Sequence, residues 1–298
     1  MTPLGRGGLQ VSALSFGAAP LGNLGTEVSE EDAAAAVHAA WASGIRYFDV
    51  APHYGLGLAE ERLGRALREY PREEYVLSTK VGRLLFDAGT AMSDDAQGFA
   101  VRSRMRREFD YSADGARRSI EASLARLGLD RVDIVYVHDP ENGYPEALAG
   151  AFPALDQLRR EGVISSYGAG INSSELLADI VRETDSDVVL AARTWTLANQ
   201  SALADLLPTA LSRGISVVAA GAFTGVELSG AGRIAQLCSD FGVSVVAVAS
   251  RFPLQHPAVT TVLLGMRSSA EVLVDVEAFS VDIPAELWAA IFAELGID

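Results

Sequence analysis

Asp49, Tyr54, Lys80 and His138 are the residues of this chain best suited to move a proton. Each closes, or closely follows, a short run of β-branched and aromatic residues. The run 45–50 carries Asp49 near its end, with Tyr54 just beyond in Ala51-Pro52-His53-Tyr54-Gly55. The run 75–80 ends in Lys80, and 132–138 ends in His138. In folds where strands alternate with helices, chemistry gathers at the strands' carboxyl ends. A free phenol, with a pKa of about 10, is a poor base at neutral pH. A nearby lysine cation favours the phenolate, and a carboxylate keeps that lysine charged.

These four need a scaffold, and the chain's alternation of strand-like and helix-like segments supplies one. Strands are expected over 13–18, 45–50, 75–81, 132–138, 164–171, 188–192, 215–220 and 259–264. Helices are expected over 29–43, 60–69, 114–127, 145–160, 174–182, 201–213 and 232–241, with a last amphipathic helix over 280–298. Ser29 and Gly44 mark the start and stop of the first helix. Gly-rich residues before the first strand fit a hairpin. Eight strands at 298 residues point to one α/β domain over 1–298, a (β/α)8 TIM barrel with an N-terminal β-hairpin. Two segments resist. Residues 82–112 lack a clean period and read as a long functional loop that supplies one wall of the substrate pocket. Residues 243–250, Val-Ser-Val-Val-Ala-Val-Ala-Ser, have the composition of a ninth strand.

Composition narrows the function. A net charge of −15 argues against nucleic acid and against an anionic membrane surface. The N-terminus lacks the apolar core of a signal peptide, and no apolar run is long enough to span a bilayer. A soluble cytoplasmic protein with a small-molecule substrate is expected, its oligomeric state open. The single cysteine, Cys238, excludes an internal disulfide and a Cys-based zinc site, and reads as a buried structural thiol. No metal site is expected.

With these residues placed, the chain resembles the aldo-keto reductase family over essentially its whole length. Gly44-Ile45-Arg46-Tyr47-Phe48-Asp49-Val50-Ala51-Pro52-His53-Tyr54-Gly55, continued by Glu60-Glu61-Arg62-Leu63-Gly64, resembles its Asp/Tyr signature. Ser78-Thr79-Lys80 and Val137-His138-Asp139 resemble its Lys and His signatures. Leu21-Gly22-Asn23-Leu24, Asp110-Tyr111-Ser112, the run 118–128 and His138-Asp139-Pro140 are similar to the sugar-oxidising branch, which acts on aldoses at C1 or, in one case, on pyridoxal. The family pattern also turns 243–252 into a helix, against its strand propensity.

The resemblance implies an oxidoreductase that uses NAD or NADP. Tyr54 would exchange the proton, Lys80 tune it, Asp49 orient Lys80 and contact the cofactor ribose, and His138 bind the substrate oxygen. No strand is followed by Gly-x-Gly-x-x-Gly, so a Rossmann-type site is not implied. The implied cofactor residues are Gly17, Ala18, Asp49, Asn172, Arg193, Ala220, Gly221, Phe223, Gly265, Arg267, Glu271 and Asp275. Phe223 or Trp195 would stand in for the ring expected to stack on the nicotinamide after the seventh strand. Glu271 aligns with an arginine of NADP-specific relatives, so NAD is the expected preference, with NADP possible through Arg267. His53, Asn142 and Trp195, on strand-end loops, are the candidate substrate wall. The implied activity is oxidation of an aldose of the L-fucose, L-galactose or D-arabinose type to its lactone. The alternatives are a pyridoxal dehydrogenase or general carbonyl reductase, and a non-catalytic subunit that senses nucleotide.

Overall fold

The computed structural model describes residues 1–89, 92–95, 97–226 and 232–297. Eight parallel strands close on themselves: β1 (Leu14–Gly17), β2 (Tyr47–Asp49), β3 (Val76–Val81), β4 (Ile134–His138), β5 (Ser166–Ile171), β6 (Val188–Ala192), β7 (Ser216–Ala220) and β8 (Val259–Gly265). They pair in chain order, and β8 returns to β1 with Gly265 opposite Gly17. This is the expected TIM barrel. Every residue of β3 is buried, because one face looks into the barrel and the other onto helices. The N-terminal hairpin, Thr2–Leu4 with Leu9–Val11, plugs the barrel at the strands' amino ends. There Gly5 N–H donates to Ser216 Oγ at 2.9 Å, while Leu4 and Val11 are fully buried beside Tyr47 and Tyr136.

Local chemistry sets the helix ends. Helix Glu30–Ala42 begins where Ser29 Oγ accepts the N–H of Asp32 at 2.9 Å, with acidic residues at the positive end of the helix dipole. Helix Ala113–Leu127 is capped by Ser112 and ends at Gly128. Val245–Arg251 is helical, as the family pattern implied, with Ser244 as its cap. Burial decided that segment over β propensity. Cys238 is buried in helix Arg233–Asp240.

Four segments depart from expectation. Residues 82–112 are not a plain loop but an arm. Arg83–Asp87 pairs antiparallel with Met105–Phe109, and Ser93–Asp94 with Arg102–Ser103. A narrow ribbon has no large core face to impose alternation, so its sequence shows no period. The helix expected over 145–160 is parted into Tyr144–Ala149 and Ala151–Arg160. Gly150 passes so close to the 111–112 backbone that a side chain there would meet the Tyr111 carbonyl oxygen at 2.6 Å. The segment 201–213 divides into a 3-10 turn, Ser201–Leu203, and helix Leu206–Ser212, because Pro208 has no N–H and suits only a first turn. The last helix is Ala285–Leu295, started by Pro284, and an unforeseen helix, Ser269–Ser280, precedes it.

Candidate active site

The barrel brings the four residues together at one end. Asp49 closes β2, Lys80 lies in β3 and His138 closes β4. Tyr54 sits in the turn after β2, and that turn is made by a backbone-to-backbone approach. A side chain at Gly55, which is left-handed at φ 63°, would meet Gly22 O at 2.4 Å. Only glycine fits such a contact. Lys80 Nζ donates to Asp49 Oδ2 at 2.6 Å and to Val50 O at 3.1 Å. It lies 4.9 Å from the Tyr54 ring centroid. The ring of His138 is 6.0 Å from that of Tyr54 and 5.6 Å from that of His53.

Burial dominates the electrostatics. It pushes the Tyr54 phenol up from its ordinary value, and the Lys80 cation only partly pulls it back. The lysine acts on the phenol in the expected direction, and desolvation is the larger effect. Lys80 loses hydration too, yet Asp49 and Tyr54 overcome this and hold its ammonium above the usual range. Burial, reinforced by Lys80, takes His138 well below its usual value. Burial with Arg83 and Arg107 lowers His53 to about 3. Both imidazoles are neutral, and the Nδ1 atoms of both are buried without a partner.

These groups open on a cavity of about 330 Å³. His53, Asn172, Arg193, Ala220 and Gly221 of the expected residues line it with the tetrad. Arg193 is left-handed at φ 64°, fixed by its N–H on Ala220 O at 2.9 Å and by Asn199, which donates to its carbonyl at 2.8 Å. Gly17 and Ala18 lie beside the cavity, where Ala18 N–H donates to Asp49 O at 2.8 Å. Gly265, Arg267, Glu271 and Asp275 form a separate group running from the end of β8 into helix Ser269–Ser280.

Three expected residues are elsewhere. Trp195 is 3% exposed, packs against Phe252 at 4.7 Å and donates its indole N–H to Pro253 O at 3.0 Å. It is a core residue and does not reach the cavity. Asn142 stands on an exposed turn, its amide donating to Asp139 O at 3.0 Å. Phe223 packs half-buried against the outer core, off the cavity. Apolar partners nearby captured both rings, and a local backbone acceptor captured the amide.

The arm supplies a wall, as expected of 82–112, through residues that the sequence reading did not single out. Gln97 and Phe99 line the cavity with Leu24 and Asp139. Phe99 is 5% exposed and stands edge-on to His53 at 5.3 Å. The tip docks on 23–25: Gly25 N–H donates to Gly98 O at 2.9 Å and Ala100 N–H to Asn23 O at 2.8 Å. Arg107 clamps its base, with both Nη atoms on Asp95 at 2.7 Å and Nη2 also on His53 O at 2.7 Å. Behind His138, buried Tyr111 donates its hydroxyl to His138 O at 3.0 Å. Asp110-Tyr111-Ser112 was visible as a motif, but nothing local in it gives the role.

A nicotinamide dinucleotide is compatible with these residues. Gly170, Ala192, Ala220 and Gly221 line the cavity with Lys80 and Tyr54, and Asn172 and Arg193 line it too. That space is held by a backbone constraint. Gly221 is left-handed at φ 70°, and a side chain there would meet Arg193 Cγ at 2.9 Å.

A barrel whose strand ends assemble a tyrosine, lysine, aspartate and histidine in one cavity defines an oxidoreductase class, and sequence comparison agrees. The chain belongs to the aldo/keto reductase family, whose profile matches residues 13–293. Members of that family use NAD(P)H. It is 40% identical to a D-threo-aldose 1-dehydrogenase from a Pseudomonas species, covering 95% of this chain and 93% of that one. It is 38% identical to pyridoxal 4-dehydrogenase from Microbacterium luteolum, covering 98% and 96%. Among solved structures, the glycerol dehydrogenase from Gluconobacter oxydans shares its fold with a TM-score of 0.79 at 24% identity, covering 99% of this chain and 95% of that one.

Proposed function

We propose that this enzyme oxidises an aldose at C1 to the lactone, with NAD as the preferred hydride acceptor. The observation that carries the proposal is the convergence of Tyr54, Lys80 and neutral His138 on one cavity whose wall mixes Gln97, Asn172 and Arg193 with apolar groups. A bound nicotinamide dinucleotide supplies the acceptor for the hydride leaving C1. Tyr54 takes the proton of the anomeric hydroxyl, so O–H and C–H bonds break as the lactone C=O forms. The base is the Tyr54 phenolate, which the Lys80 cation favours against the burial that raises the phenol, and a hemiacetal hydroxyl, more acidic than an ordinary alcohol, lowers the demand on it. His138 donates to the reacting oxygen without adding a charge. Polar wall groups partner the remaining sugar hydroxyls, since unmatched polar atoms are costly once buried.

The preference for NAD rests on Glu271. Its carboxylate accepts the backbone N–H of Arg267 at 2.9 Å and stands 3.0 Å from the Arg267 Nε. That pairing leaves little positive charge for a 2′-phosphate, whereas a carboxylate accepts hydrogen bonds from a free ribose hydroxyl. Pyridoxal is the second reading, favoured by Phe99 and Leu24 on the wall. A panel of L-fucose, L-galactose, D-arabinose and pyridoxal with NAD, followed by nicotinamide absorbance, separates the two. Turnover of a sugar is expected. Turnover of pyridoxal alone would reject the sugar reading.

A further inference from the structure

The interior of a TIM barrel is ordinarily filled with branched apolar side chains. Here two tyrosines, Tyr47 of β2 and Tyr136 of β4, are fully buried among them. Their hydroxyls are 3.0 Å apart, and Tyr47 is 3.1 Å from the hydroxyl of Ser78 in β3. Ser78 in turn donates to Asp49 Oδ1 at 2.6 Å. The other carboxylate oxygen, Oδ2, takes Lys80.

The direction of this row follows from counting protons. Ser78 has one hydroxyl proton, and it goes to Asp49. Ser78 Oγ therefore accepts from Tyr47. The Tyr47 proton being spent there, Tyr47 must accept from Tyr136. Burial holds both phenols protonated, far above the working range of the protein. Three hydroxyl dipoles thus point one way, from Tyr136 through Tyr47 and Ser78, onto the carboxylate that grips Lys80. Such rows polarise one another in a dry interior.

We propose that Ser78, Tyr47 and Tyr136 are positioning residues for the proton transfer: their aligned hydroxyls share the negative charge of Asp49, so that Lys80 keeps more of its positive charge to offer Tyr54. Asp49 with Oδ1 unpartnered would concentrate its charge on Lys80. The phenol would then face a better neutralised ammonium and hold its proton more tightly. The other charged or titratable groups around Tyr54 are His53, His138 and Asp139, the last paired with Arg83. None belongs to the row, and the substitutions below leave all of them in place.

The inference rests on Tyr54 as the proton-transfer group, and two readouts keep its failure separate from that of the proposed function. One is the pH profile of kcat/KM for oxidation in Ser78→Ala, Tyr47→Phe and Tyr136→Phe. The other, which needs no turnover, is titration of the Tyr54 ring by 13C-tyrosine NMR, assigned with Tyr54→Phe. The phenylalanine variants keep the ring volume, so at least they are expected to fold. Ser78→Ala should move the rise in rate about one unit to higher pH, roughly a tenfold loss below the midpoint. Tyr47→Phe should move it less, and Tyr136→Phe least. All three should regain the wild-type plateau at high pH, which a packing defect would not allow. The NMR midpoint should move in the same order. Unmoved midpoints, or a lowered plateau with the midpoint in place, would overturn the inference. Should Tyr54→Phe retain turnover, the proposed function falls, while the NMR series still decides whether the row tunes the phenol.

Discussion

Arg267 and Glu271 hold each other across the start of helix Ser269–Ser280. The Arg267 N–H donates to Glu271 Oε2 at 2.9 Å, and the guanidinium Nε stands 3.0 Å from Oε1. The Glu271 N–H in turn donates to Ser268 Oγ at 3.2 Å, so the glutamate belongs to the helix cap as well as to the ion pair. A side chain so engaged is more than a solvated helix face. Glu271→Arg removes the neutralising partner and adds a cation. Cofactor selectivity should move toward NADP by about 1–2 kcal/mol, roughly five- to thirtyfold. Fluorescence titration of wild type and variant with both cofactors measures it. Tighter binding of NADP by the wild type would reverse the assignment of Glu271.

Tyr54→Phe keeps the ring against Phe99 and His138 and removes only the hydroxyl. Turnover should fall by on the order of 10²–10⁴, with cofactor affinity within a few-fold of wild type. Lys80→Met leaves desolvation of the phenol unopposed by a cation, so the rise of oxidation rate with pH should shift to higher pH. A profile that keeps its midpoint in Lys80→Met would show that the lysine does not tune the tyrosine.

The arm makes a prediction about binding. Phe99 lines the cavity but has no group that can exchange a proton. Phe99→Ala should raise KM for the preferred substrate about tenfold while kcat changes less, because the interaction lost exists in ground and transition states alike. Steady-state kinetics at saturating cofactor separates the two constants. A fall in kcat with KM unchanged would place Phe99 in the chemical step instead.

Much of this was legible because certain constraints are local. Asp49, Tyr54, Lys80 and His138 sit in short signatures whose spacing survives from sequence to barrel, and Ser29 and Gly44 act within a turn of themselves. That 82–112 supplies a wall of the cavity was legible, but which of its residues do so was not. Gln97 and Phe99 come from an arm whose strands bury no continuous apolar face, and they reach the site only because their tip docks on 23–25. Trp195 looked like a wall residue from its loop position, but the facing Phe252 and the carbonyl of Pro253 decide where it goes, and both are far away in sequence. The hydroxyl row is illegible for the same reason. Tyr47, Ser78 and Tyr136 meet only through barrel closure, each reading as an ordinary strand residue.

His53 gives the acid stability of the fold a testable origin. Its imidazole titrates at about 3 in the folded protein, against 6.5 for the free side chain, because burial and the cations Arg83 and Arg107 oppose its charge. Between these values the unfolded chain binds a proton that the folded chain does not. Stability is therefore unaffected by this group above about pH 6.5 and falls as the pH is lowered from there towards 3. At about pH 5 the loss from His53 is about 2 kcal/mol, and His138, also lowered, adds to it in the same direction. His53→Gln removes its own titration and leaves those of His138 and of His256, which burial also lowers. Urea denaturation at about pH 7 and pH 5 should show a smaller drop in stability for the variant than for the wild type, even if the variant is less stable at both. Equal drops would mean that His53 takes up its proton in the folded state, and that the cavity is wetter than its packing implies.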